Sequence, residues 1–223
     1  MTKRKLFKFE QISTYPNVIQ PNCQYPPEDY VLKGKWAESF FQNPNPITLE
    51  IGCGKGDYTT GLASVNPSKN FIGIDIKGDR LWVGASKALD KKLVNVGFLR
   101  IPVERAAHYF TQGEVDEIWI TFPDPQPNKP RERKRLTSDR FLNVYSQILK
   151  PGGIIHLKTD NVPFFDYTIE KVKSSGHQLL EATHDLYGPE GISIKEEVKS
   201  IQTFYERMFL DQGMKICYLN FRL

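Results

Sequence analysis

The sequence is poor in cysteine and histidine, and it has no long apolar run. Its three cysteines, Cys23, Cys53 and Cys217, lie far apart with no CxxC pair, which argues against a disulfide framework and against a zinc site. Four scattered histidines give no ligand spacing, so no metal is expected. No apolar stretch approaches the ~18 residues of a membrane span. The opening MTKRKLFKFEQ is charged but lacks an apolar core, so a secretory signal is not expected and the cytoplasm is the default compartment. Repeats and low-complexity tracts are missing too. Net charge is also scarce. Thirty Lys and Arg against 26 Asp and Glu leave +4, too little for bulk electrostatics to select a nucleic acid.

What is there is an ordinary domain-sized chain of 223 residues, 39% of them hydrophobic, enough for one sizeable core. Its charge is unevenly placed. Lys3, Arg4, Lys5 and Lys8 crowd the start, and five of the seven residues from Lys129 to Arg135 are basic. Either block alone suits a solvated loop. Two such blocks on a nearly neutral body suggest a polyanion held at one place.

Short β-rich runs alternate with helix-length segments. ITLEIG (47–52), NFIGID (70–75), NVGFLRI (95–101), VDEIWITF (115–122) and GIIHLKT (153–159) read as buried strands. DYTTGLASV, DRLWVGASKALDKKL, VERAAHYF, SDRFLNVYSQIL and VPFFDYTIEKVKSS carry apolar residues at helical spacing. Further strands are expected around HQLLEATHDL and in MKICYLNFRL. The alternation implies an α/β fold with a mostly parallel sheet and helices on both faces, over 31–223. Residues 1–30, rich in Pro, Asn and Tyr, read as an extended basic arm.

In such a sheet ligands bind beyond the carboxyl ends of the strands. The first strand runs into E-I-G-C-G-K-G-D, Glu50 to Asp57, where Gly52, Gly54 and Gly56 let the backbone turn tightly and approach a ligand. The second ends in Asp75, placed to accept hydrogen bonds from ribose hydroxyls. A dinucleotide would set its pyrophosphate on the helix N-terminus, but Glu50 and Asp57 bracket that point and repel it. They suit a cationic nucleoside, and S-adenosylmethionine, with its sulfonium and ammonium, fits.

The fourth strand stops at FPDPQP, so Asp124 projects from the same edge. Methyltransferases acting on exocyclic amines place an (N/D)PP(Y/F) turn here, whose aromatic residue stacks on the base. DPQP has none. An exocyclic amine must lose a proton when methylated, whereas a ring nitrogen with an in-plane lone pair attacks directly. Guanine N7 is such an acceptor. Asp124 could stabilise the cationic product or hold the base through N1–H and the amino group.

Taken together, LEIGCGKG (49–56), GIDIK (73–77), FPDPQPNKPRERKRL (122–136), LKPGG (149–153), LKTDN (157–161) and TFYER (203–207) resemble the bacterial tRNA (guanine-N7)-methyltransferases. The resemblance implies a single Rossmann-like class I methyltransferase domain, seven strands with the last antiparallel. It also implies transfer from S-adenosylmethionine to N7 of a guanine in the tRNA variable loop. Glu50, Gly52, Gly54, Gly56 and Asp75 would hold the cofactor, with Asp124 beside it as the catalytic residue. Asn128, Lys129, Arg131, Arg133, Lys134 and Arg135 would meet tRNA. Asp160, Thr203 and Glu206 would hold the guanosine, although Thr203 and Glu206 also spell a helix capping box and Asp160 could cap the following helix. The implied partner is tRNA alone, with no obligate protein partner, acting as a monomer or homodimer.

The sequence departs from the family pattern in two places. Gln126 and Asn128 stand where the family carries Trp and Lys, leaving Lys129 to supply the charge. Pro102 and Val103 stand where it carries Asp-Ala, leaving the Val103 N–H for adenine and Glu104 as a substitute carboxylate. Two other readings remain: a methyltransferase for another RNA or base atom, and a non-catalytic RNA-binding module.

Overall fold

The computed structural model describes residues 3–21 and 30–223. Cys23 and part of the expected arm lie outside them. β1 (Val18–Ile19), β2 (Ile47–Ile51), β3 (Asn70–Ile74), β4 (Val96–Leu99), β5 (Val115–Thr121), β6 (Leu149–Thr159), β7 (Gln178–Thr183) and β8 (Cys217–Arg222) form one sheet. Its order is β1-β4-β3-β2-β5-β6-β8-β7. All pairs are parallel except those of β8, which runs antiparallel to both β6 and β7.

Alternation along each strand builds two cores. In β3, Ile72 and Ile74 join one cluster and Phe71 the other. In β5, Ile118 and Ile120 separate from Trp119 in the same way, because successive side chains leave opposite faces of a pleated strand. One face is covered by α4 (Asp139–Ser146) and α5 (Val162–Ser174), through Phe141, Tyr145, Phe164 and Phe165. The other is covered by α2 (Asp57–Val65) and α3 (Gly78–Asp90), through Tyr58, Leu62, Leu81 and Ala85. Behind α2, a segment containing α6 (Glu196–Ser200) and leading into α7 (Phe204–Asp211) adds Ile194, Val198 and Ile201 to that second core.

Three expectations are corrected. The sheet has eight strands, the extra one being β1, and the N-terminal residues are not simply extended. Lys3–Ile12 forms α1, which packs on α3. Ile12 is fully buried, and Gln11 accepts a hydrogen bond from the Trp82 indole at 3.0 Å. Tertiary packing of a few side chains therefore overrides a charge-rich local sequence. Lys8 lies over the Trp82 ring at 4.7 Å and Lys5 reaches Asp79 at 3.8 Å, so part of the N-terminal basic block is engaged on α3. VERAAHYF forms a tight helical turn over Val103–His108 rather than a full helix.

The chain order places the topological switch between β2 and β5. From β2 it winds outward through β3 and β4, then returns to β5 on the other side of β2. The carboxyl ends of those two central strands are where a ligand crevice opens.

Candidate active site

Glu50, near the end of β2, bridges that switch point. Its carboxylate accepts hydrogen bonds from the Thr121 hydroxyl of β5 at 2.7 Å, from the Thr59 N–H of α2 at 2.8 Å, and from the Thr59 hydroxyl. Only 3% of the residue is exposed, and burial pushes its pKa up to about 7, against the opposing hydrogen bonds of Thr59 and Thr121. Glu50 makes no ion pair among the described residues, yet it lines a cavity with Gly52, Gly54, Thr121, Thr203 and Phe204. Lys55 and Arg80 also line this cavity, but neither pairs with Glu50, and a buried carboxylate left without an ion pair suits a ligand ammonium. Thr59 and Thr121 carry no motif signature, so sequence reasoning missed both.

The glycine loop has the conformation its residues require. Gly52, Gly54 and Gly56 have φ of 70°, 55° and 66°, in the left-handed region. At Gly56 a Cβ would also lie 2.7 Å from the Phe98 ring. Asp57, expected to carry free negative charge at this helix start, pairs with Lys87 at 3.2 Å.

Asp75 follows β3 and braces the loop of its neighbour. One carboxylate oxygen accepts the Gly54 N–H at 2.9 Å and the other the Lys77 N–H at 2.8 Å. Asp75 lines a second cavity, of about 400 Å³, with Ile76, Pro102, Val103, Glu104, Asp124, Lys134, Leu136 and Phe141. Its apolar walls suit a flat ring. Pro102 and Val103 do line it, and Glu104 is held at its edge by Arg140 at 3.3 Å. Gly52 lines both cavities, so they meet at the loop.

Asp124 sits exposed in a strained turn. Phe122 and Gln126 have φ of 48° and 46°, sparsely populated for non-glycine residues. The Asp124 carboxylate accepts the Gln126 N–H at 3.1 Å, and Phe122 continues the sheet by donating its N–H to the Lys158 carbonyl at 2.9 Å. Lys129–Lys134 then forms a short tight helix. Asn128, Lys129, Arg131, Arg133 and Lys134 are exposed along it. Arg135 differs: its guanidinium stacks on Tyr167 of α5 at 4.2 Å and its Nε donates to the Gln126 carbonyl at 3.3 Å. It ties the turn to α5 rather than standing free.

Asp160 follows β6 and is half-buried, and burial raises its carboxyl above the usual carboxylate range. Asn161, not Asp160, caps α5, accepting the Phe164 N–H at 2.9 Å. Thr203 lines the Glu50 cavity while forming the capping box of α7. Glu206 is expected, with Thr203, to hold the guanosine. It is fully buried behind Thr203, its carboxylate 2.5 Å from the Lys158 ammonium and 2.7 Å from the Tyr187 hydroxyl. Lys158 went unassigned because only its neighbours in LKTDN carried a role.

A family model described as a putative methyltransferase matches residues 44–219. A tRNA (guanine-N(7)-)-methyltransferase of Christiangramia forsetii is 48% identical, covering all of this chain and 99% of the relative. One of Bacteroides thetaiotaomicron is 45% identical, covering all of this chain and 87% of the relative. Among solved structures, the 16S rRNA methyltransferase KamB superposes with a TM-score of 0.61 at 18% identity, covering 80% of this chain and 88% of that one, a likeness of fold. No helix among the described residues is long and apolar enough to cross a membrane. With the switch-point cavities and these full-length relatives, the chain belongs to the tRNA (guanine-N(7)-)-methyltransferase family.

Proposed function

We propose that the chain transfers a methyl group from S-adenosylmethionine to N7 of a guanine in the variable loop of tRNA. The supporting observation is the meeting of two cavities at Gly52. One holds a buried carboxylate with no ion pair among the described residues, and the other runs from Asp75 to Asp124 beside an exposed basic helix. When bound, the cofactor supplies an electrophilic methyl on a sulfonium.

The chain's own residues divide the remaining work. Glu50 would face the ammonium, Asp75 the ribose hydroxyls, and the apolar walls at Ile76, Pro102 and Val103 the adenine. Guanine N7 keeps its lone pair in the ring plane, so no base need remove a proton. Asp124, on the wall shared with Asp75, stabilises positive charge growing on the methylated base. Asp160 and Thr203 would hold the guanosine, and Lys129, Arg131, Arg133 and Lys134 would meet the phosphates. N7 in A-form RNA lies in a groove too narrow for side chains, so the base must come from a loop or be pulled from its stack.

Mass spectrometry of nucleosides from tRNA treated with enzyme and S-adenosylmethionine tests the reading, with 7-methylguanosine expected. A tRNA with 7-deazaguanosine at that position should bind and compete but accept no methyl. Methylation of the 7-deaza tRNA near the parent rate would move the chemistry to another atom.

A further inference from the structure

Lys158 is a fully buried lysine whose ammonium has three hydrogen-bonding partners, all from the segment that carries Thr203, and lies over the Tyr58 ring at 5.2 Å. It lies 2.5 Å from the Glu206 carboxylate and donates to the Val198 carbonyl at 2.9 Å and the Ile201 carbonyl at 3.3 Å. Those partners lie on both sides of Thr203. Its backbone carbonyl accepts the Phe122 N–H, where the turn to Asp124 begins. Two residues further along is Asp160. One residue thus touches the start of the Asp124 turn, lies two positions before Asp160 at the end of β6, and grips the Thr203 wall.

A buried ion pair is an expensive way to gain stability, since desolvation offsets most of the Coulombic attraction. The site already has cheaper attachments for the same segment. Ile194, Val198 and Ile201 pack into the core, and Glu197 binds the Asn66 amide at 2.6 Å. What the ion pair adds is a fixed direction. Packing allows a wall to slide, whereas three hydrogen-bonded partners around one ammonium set its register against β6. Tyr187, donating to Glu206 at 2.7 Å with its hydroxyl oxygen also 3.2 Å from the Lys199 carbonyl, closes the network from the opposite side.

We infer that Lys158, with Glu206 as its counter-charge, is a positioning residue for the reaction, setting the Thr203 wall relative to Asp160 and Asp124. It touches neither substrate nor cofactor. The inference rests on the reading of Thr203 and Asp160 as the guanosine-holding groups.

Steady-state methyl transfer to tRNA and calorimetric binding of S-adenosylmethionine, on Lys158→Met, Thr203→Val and the double variant, provide the test. Lys158→Met should lower kcat/KM for tRNA by about tenfold or more, while cofactor affinity falls by less than about threefold, because only the Thr203 side of the Glu50 cavity shifts and Glu50, Asp75 and the glycine loop keep their own contacts. The double variant should be no worse than the worse single, since both act on one wall. Should Lys158→Met fold poorly, Lys158→Met combined with Glu206→Leu removes both charges together, and the same kinetic defect in a folded protein is expected. Parent-like kcat/KM in whichever of these folds would overturn the inference, as would multiplying effects in the double variant or an equal loss of cofactor affinity. An unimpaired Thr203→Val would remove the premise and overturn it from the other side. An impaired Thr203→Val with a normal Lys158→Met would overturn the inference but leave the proposed function standing.

Discussion

Asp75 accepts the backbone N–H of Gly54 at 2.9 Å, so a carboxylate after β3 holds the glycine loop that follows β2. One side chain thereby serves both the loop and the proposed ribose contact. Asp75→Ala should weaken S-adenosylmethionine binding by roughly 10- to 100-fold, the scale of losing a charged hydrogen-bond acceptor. Calorimetry checks this, and matching isotherms for variant and parent would remove Asp75 from the cofactor site.

Glu50 should make stability and cofactor affinity run in opposite directions with pH. Its pKa rises from 4.5 to about 7 on folding, so the native state binds the proton more tightly than the unfolded chain. That contribution is fully present below the unfolded value and is lost as pH rises through about 7. Glu50→Gln has no such dependence. It should gain on the parent across this window, by on the order of 3 kcal/mol at the alkaline end. Cofactor affinity should instead rise with pH in the parent, because an ammonium needs the ionised carboxylate, and stay flat in the variant. Melting and calorimetry from about pH 5 to 8 test both. Parallel melting profiles would sink the linkage.

The basic strip should divide into two kinds of residue. Arg131→Ala and Arg133→Ala remove exposed charges, so each should raise the Michaelis constant for tRNA and flatten the log–log salt dependence of binding by about 0.7 to 0.9. Arg135→Ala removes the stack on Tyr167 and the hold on Gln126, so its main effect should fall on kcat. An unchanged salt slope in the first two would return them to the role of solvated surface.

Asp124→Ala should leave tRNA binding near the parent level and slow methyl transfer by about two to three orders of magnitude, as when one electrostatic group is lost from a transition state. Single-turnover rates with saturating tRNA measure this directly. A rate within a few-fold of the parent would exclude the proposed role.

Much of the fold was legible because buried parallel strands announce themselves as apolar runs and helices by their spacing. β2, β3, β5, α2 and α5 lie where those signals put them. The switch-point residues Glu50, Gly52 and Asp75 were legible too, since the βα turn constrains their type. What escaped depends on contacts between distant segments. α1 forms because Ile12 finds the second core, and β1 is two residues long, below any periodic signal. Thr59, Thr121 and Lys158 acquire meaning only once β5, β6 and α2 are side by side. Glu206 had an ambiguous local signal, cap or ligand, and the structure makes it the capping-box partner of Thr203 and pairs it with Lys158, a contact no local signal announces.

The position of β8 also governs the order in which the molecule can assemble. β7 pairs only with β8 among the described strands, and β8 alone borders β6 on that side. While the ribosome is still making the segment between them, β6 presents an open edge and β7 has nothing to join. The half of the sheet bearing Lys158 and Asp160 therefore closes last, by a long-range pairing that is slow to find and leaves an exposed edge in the meantime. Pulse-labelled hydrogen exchange during refolding should show β7 amides protected together with those of β8, and after those of β2 and β3. Early protection of β7 would contradict that order. Until β8 arrives, the nascent protein can have a nucleoside cleft on one side but no finished wall on the other, so chaperone binding and strand-swapped association should concentrate at this one unfinished seam.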